Sequence, residues 1–103
     1  MPKPSLEERV EIAKRECRKG GYPPTRFEQM VRRRKLIPTM VYLMEEADIV
    51  TSGFKRCVEL GLIKHTVETI VLEYPEIFSE KTRACAEFRL RIARNPKLLK
   101  AAS

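Results

Sequence analysis

Apolar positions along this chain recur at the three- and four-residue spacing of helices, and no stretch shows strand alternation bounded by hairpin turns. The first apolar set is Leu6, Val10, Ile12, Ala13 and Cys17, and the second is Phe27, Met30 and Val31. A dense patch follows at Leu36, Ile37, Met40, Val41, Leu43 and Met44, then Ile49, Val50 and Phe54. Start signals precede these sets. Ser5-x-x-Glu8 and Thr25-x-x-Glu28 have capping-box spacing, in which a hydroxyl and a carboxylate satisfy orphan N–H groups reciprocally, and Thr66 and Ser79 are further cap candidates. Gly20-Gly21, Gly61, Pro75 and Asn95-Pro96 read as stops. Together they predict helices near 6–18, 26–35, 39–46, 53–60, 66–73 and 80–94, with a short turn at 97–102. Ile70-Val71-Leu72 is β-branched, but its flanks make it a short buried helix. The expected class is all-α, a compact single-domain bundle of about five to six short helices.

Two glycines followed by Tyr22-Pro23-Pro24 cannot continue a helix, so this is the expected hinge, with residues 1–19 a helical arm and 20–103 the helical domain. A chain of 103 residues fits one domain with a modest core and leaves no room for a separate catalytic lobe. No apolar run reaches the ~18–20 residues of a membrane span. Met1-Pro2-Lys3-Pro4 lacks the apolar stretch of a secretory signal, and the expected location is cytoplasmic.

Charge changes this picture more than composition does. Residues 1–35 carry a net +6, residues 36–80 a net −5 and residues 81–103 a net +6, for the total of +7. Basic ends around an acidic middle suit either a polyanion held by the ends or oppositely charged surfaces meeting between copies.

The predicted second helix puts Arg26, Gln29 and Arg33 on one face, opposite Phe27, Met30 and Val31, and gathers Arg32, Arg33, Arg34 and Lys35 in its last turn. Guanidinium groups match phosphates bidentately and read guanine edges, and a Gln amide can pair with adenine. Cations at a helix C-terminus also complement the macrodipole, so a purely solvated face stays open as a reading. The last helix repeats the geometry with Arg83, Glu87, Arg91 and Arg94 on one strip, Cys85, Phe88 and Ile92 toward the core, and Arg89 off the strip; Lys97 and Lys100 follow.

Other chemistry is thinly represented. Cys17, Cys57 and Cys85 are far apart without a C-x-x-C pair and read as small buried hydrophobes in a reducing compartment, with a zinc site through His65 the weaker alternative. Residues 54–73 have fair helix-turn-helix spacing, yet Thr66, Glu68, Thr69 and Glu73 would bring carboxylates to DNA, so this segment reads as core or a protein-contacting surface. The acidic residues of the middle show no metal-site spacing, and the glycines at 20, 21, 53 and 61 form no phosphate loop.

The order Tyr22-Pro23-Pro24-Thr25-Arg26-Phe27-x-Gln29-Met30, Ser52-Gly53-Phe54, Glu59-Leu60-Gly61 and Thr66-Val67-Glu68 resembles a group of small bacterial helical proteins over about residues 20–92. The resemblance implies a small helical domain and transfers no activity and no catalytic residues; the Leu62-Ile63-Lys64-His65 link departs from the more polar link of that group. The sequence reading is a non-enzymatic module without a cofactor that binds DNA or RNA through Arg26, Gln29, Arg32, Arg33, Arg34 and Lys35 with Arg83, Arg91 and Arg94. A protein–protein adaptor or self-assembling component is the second reading.

Overall fold

Each helix begins and ends where local chemistry allows. In the computed structural model, which describes residues 2–47, 52–95 and 97, the elements are α1 (Leu6–Lys19), α2 (Thr25–Arg34), α3 (Leu36–Glu45), α4 (Ser52–Glu59), a 3-10 turn (Ile63–His65), α5 (Val67–Glu73) and α6 (Glu80–Ala93). There is no strand among the described residues, and the protein is an all-α single-domain bundle. Its radius of gyration of 12.9 Å is that of a compact domain of this length. No helix is long and apolar enough to cross a membrane among the described residues. Asp48, Ile49, Val50 and Lys100, and all but the start of the turn expected at 97–102, lie outside those residues.

The capping box of α1 is complete, with Glu8 N–H donating to Ser5 Oγ at 3.2 Å and Ser5 N–H to Glu8 Oε1 at 3.0 Å. Gly20 closes the helix through its N–H to Glu16 O, and Gly21 takes φ +91°, a conformation glycine adopts freely. Thr66 and Ser79 cap α5 and α6 through the N–H groups of Thr69 and Thr82. The box expected at Thr25 does not form. Pro24 occupies the N-cap position, Thr25 is already helical, and the Glu28 carboxylate instead joins Arg18 and Lys14 of α1. Helix α3 starts at Leu36 rather than 39, because Pro38 falls in the first turn, where the missing N–H is an orphan anyway.

The core forms where α1, α3, α5 and α6 meet. Leu6, Val10 and Ala13 of α1, Met40 and Met44 of α3, Ile70 and Val71 of α5, Tyr74, Phe78 and Ala86 make one buried cluster. A smaller cluster of Phe54, Leu90 and Ala93 joins α4 to α6. The chain ahead of α1 is strapped down, since Tyr74 Oη donates to Pro4 O at 2.5 Å and Lys3 Nζ lies 4.3 Å from the Tyr74 ring centre. Within the expected first and third apolar sets, Ile12 and Ile37 face outward.

Helix α6 departs from the sequence expectation at Phe88. Its buried residues are Thr82, Ala86, Arg89, Leu90, Ile92 and Ala93, while Phe88 is 47% exposed and Cys85 only half-buried. Ile92 is buried as expected and Cys85 packs against the core, but the stripe takes in small residues and the buried Arg89, and Phe88 faces outward.

Candidate nucleic-acid interface

Helix α2 buries none of its residues completely. Phe27, Met30 and Val31 are half-buried, as their stripe predicts, and Arg26, Gln29, Arg32, Arg33, Arg34 and Lys35 are all exposed. The arginine run therefore crowns the C-terminal turn of α2, where Arg34 lies over the Tyr42 ring at 4.1 Å and is held by cation–π attraction. Lys35 alone separates α2 from α3. Its φ of +76° and ψ of 166° lie in a region that essentially only glycine adopts without strain, and it is the one non-glycine residue with positive φ among those described. The conformation persists because Lys35 N–H donates to Val31 O at 2.8 Å and its carbonyl accepts the Thr39 hydroxyl at 2.7 Å.

On α6, Arg91 and Arg94 are exposed with Glu87, as the strip requires. Arg83 is half-buried, and its Nε donates to Phe78 O at 3.2 Å, which ties it to the loop before the helix. Helices α2 and α6 both pack on α3.

The distribution of ion pairs separates the two sets of charge. Four acidic residues of the middle are paired with the basic ends inside the chain, Lys3 with Glu76 at 2.8 Å, Arg9 with Glu73 at 2.7 Å, Lys81 with Glu45 at 3.4 Å and Arg89 with Glu68 at 3.7 Å, while Glu59 pairs with Arg56 of the middle itself. Thr82 Oγ1 also donates to Glu45, and that hydrogen bond holds the carboxyl below its ordinary range. Among the described residues, none of Arg26, Arg32, Arg33, Arg34, Lys35, Arg83, Arg91 and Arg94 is in an ion pair.

The Glu68–Arg89 pair escaped the sequence reading. Both side chains are buried, at 4% and 3% exposure, and Arg89 Nη2 donates to Ala47 O at 3.0 Å. At 3.7 Å the carboxylate is outside hydrogen-bond range of the guanidinium, and burial wins, pushing the Glu68 carboxyl up to about 7. A signal was present. Glu68 stands three before Val71 on α5, and Arg89 stands three after Ala86 and four before Ala93, so both fall on core stripes. Burial of Thr66, Glu68, Ile70 and Val71 also removes the recognition surface a helix-turn-helix would need at 66–73.

His65 sits in the 3-10 turn with Nδ1 3.3 Å from Arg9 Nη1, and burial, then the Arg9 charge, lowers its pKa. Cys17 and Cys57 are buried as expected, and burial raises both thiols, Cys57 to about 12. Cys85 is half-buried. No group of three or more His, Cys, Asp or Glu side chains that could hold a metal ion occurs among the described residues. Beneath α2 a cavity of about 1180 Å³ reaches inward to Glu68 and Arg89.

No family model, curated protein or solved structure matches this chain.

Proposed function

We propose that this protein is a non-enzymatic nucleic-acid-binding module whose main contact is the C-terminal half of α2, with Arg91 and Arg94 of α6 as auxiliary phosphate contacts. The observation that supports it is the allocation of charge. Four acidic residues of the middle, Glu45, Glu68, Glu73 and Glu76, are occupied by partners from the basic ends, while the α2 cluster stays exposed and outside every ion pair among the described residues. An exposed guanidinium without a carboxylate can give its full donor fork to phosphate. The strained Lys35 at the heart of the cluster points the same way, since backbone strain gathers at sites selected for something other than stability. Arg83 contributes less, because Phe78 O already takes its Nε donor.

The self-assembly reading relied on a basic end meeting a neighbour's acidic middle. That complementarity exists, but within one chain, which favours the polyanion reading.

Fluorescence anisotropy with duplex DNA, single-stranded DNA and RNA at two salt concentrations tests the proposal. Affinity is expected to fall steeply with salt, with log–log slope of about −3 to −5 for four or five phosphate contacts. Replacing Arg33 and Arg91 together by Glu should lower affinity by tenfold or more, on the order of 1.4 kcal/mol, with an unchanged circular dichroism spectrum. Unchanged affinity in the folded double variant would sink the assignment.

A further inference from the structure

Helix α2 does two things at once. Its outer face presents the arginines, and its inner face, through Phe27 and Met30, roofs the 1180 Å³ cavity. The space is a cleft open to solvent on one side, and its volume is comparable to small-molecule sites, usually ~300–1,000 Å³. Arg26, Arg32 and Arg33 border the same cavity, so phosphate-binding groups stand at its edge.

We infer that this cleft receives an unstacked nucleobase, its faces against Tyr22 and Phe27, its edge toward Glu68, and its phosphate at the arginine edge formed by α2. The inference rests on the nucleic-acid reading above and adds to it a preference for single strands. Three observations carry it. The partly buried rings of Tyr22 and Phe27 are brought by the fold to one cleft, as base–aromatic stacking in single-strand binders requires. The inner wall carries the buried Glu68 carboxyl, which suits the polar edge of a base, whereas an alkyl chain would leave it facing hydrocarbon. Charge complementarity at the edge then selects a phosphate-bearing ligand over a neutral one. A duplex can supply such a base only by unstacking it, which costs a few kcal/mol in general, while a single strand offers it directly. The Glu68 carboxyl, lifted to about 7, is available near neutral pH both as a donor and as an acceptor.

The test uses the full chain, isotopically labelled, titrated with uridine and adenosine 5′-monophosphates, inorganic phosphate and decanoate, and followed by amide correlation spectra. At least one nucleotide should shift the amides of Tyr22, Phe27 and Glu68 saturably, whereas phosphate should move only those near Arg32–Lys35. Nucleotides that reproduce only the phosphate pattern, or decanoate that displaces them from the interior, would overturn the inference. In parallel, Met30→Trp fills the cavity from its roof and should weaken single-stranded oligonucleotides roughly tenfold, with duplex affinity unchanged. Equal single- and double-strand affinity, unaltered by this substitution, removes the cavity's role and leaves the phosphate interface standing. Loss of all nucleic-acid binding in the wild-type chain would remove both. Should the Trp variant fail to fold, the wild-type spectra still decide.

Discussion

Two residues hold conformations or charge states that the fold imposes against their own preference, and each gives a measurable consequence. Lys35 adopts φ +76°, where a side chain costs of order 1–3 kcal/mol and glycine nothing comparable. Lys35→Gly should therefore raise stability by about 1 kcal/mol in urea titrations while lowering polyanion affinity, because a cation leaves the centre of the cluster. A variant that is destabilised would mean that the Lys35 side chain makes interactions outweighing its backbone strain. Glu68 is held by burial at about 7, above its ordinary 4.5, despite Arg89 nearby. The folded chain thus keeps this proton more tightly than the unfolded chain; the resulting stability is full below about pH 4.5 and is lost as pH rises through about 7. His65, lowered by burial, acts with the opposite sign, contributing stability that is lost as pH falls, but it is common to wild type and variant and cancels in their difference. Denaturation of Glu68→Gln beside wild type should show the variant gaining on wild type as pH rises from 5 to 8, by an amount on the order of 3 kcal/mol. A difference independent of pH would show that Glu68 does not titrate there.

At the scale of helices, α1 decides whether the first nineteen residues are a detachable arm or part of the bundle. Leu6, Val10 and Ala13 lie in the same buried cluster as Met40, Val71 and Phe78, and Tyr74 ties Pro4 to the end of α5. Leu6→Ala should accordingly cost about 2–4 kcal/mol and lower the midpoint seen by helix circular dichroism and by tyrosine fluorescence together. Loss of helix signal in a separate early step, with tyrosine fluorescence unmoved, would restore the arm. Six helices were legible in the sequence because their caps and stops are local chemistry: Ser5, Thr66 and Ser79 bind N–H groups three residues away, and Gly61 turns the chain at φ +74°. Legibility failed where a local signal was overridden from elsewhere in the fold. Glu28 had the spacing to cap α2 but is claimed by Arg18 and Lys14, and Phe88, expected in the core of α6, faces outward while Arg89 is buried against Glu68 from a distant part of the chain. The exposed half of α2 was legible from spacing alone. Its cavity was not, since Tyr22, Phe27, Phe54 and Glu68 share no sequence interval that marks them as neighbours.

For the whole molecule, charge does separate jobs in stability and in recognition, and salt distinguishes them. The pairs Lys3–Glu76 and Lys81–Glu45 join groups that are largely exposed on at least one side, and such pairs contribute little, typically 0–1 kcal/mol each. Buried Glu68 and Arg89 are poorly reached by mobile ions. Thermal stability should therefore change by only a few degrees between low and moderate salt. Binding through the α2 cluster releases counterions from the nucleic acid and should weaken by orders of magnitude over the same range. Assembly gives the third term of the comparison. If the acidic middle is satisfied within the chain, light scattering should return the 12.0 kDa monomer at low and high salt and across concentration. A mass that rises with concentration at low salt and returns to 12.0 kDa as salt is added would mean that basic ends reach a neighbour's acidic residues, and the interface would then have to be sought between copies.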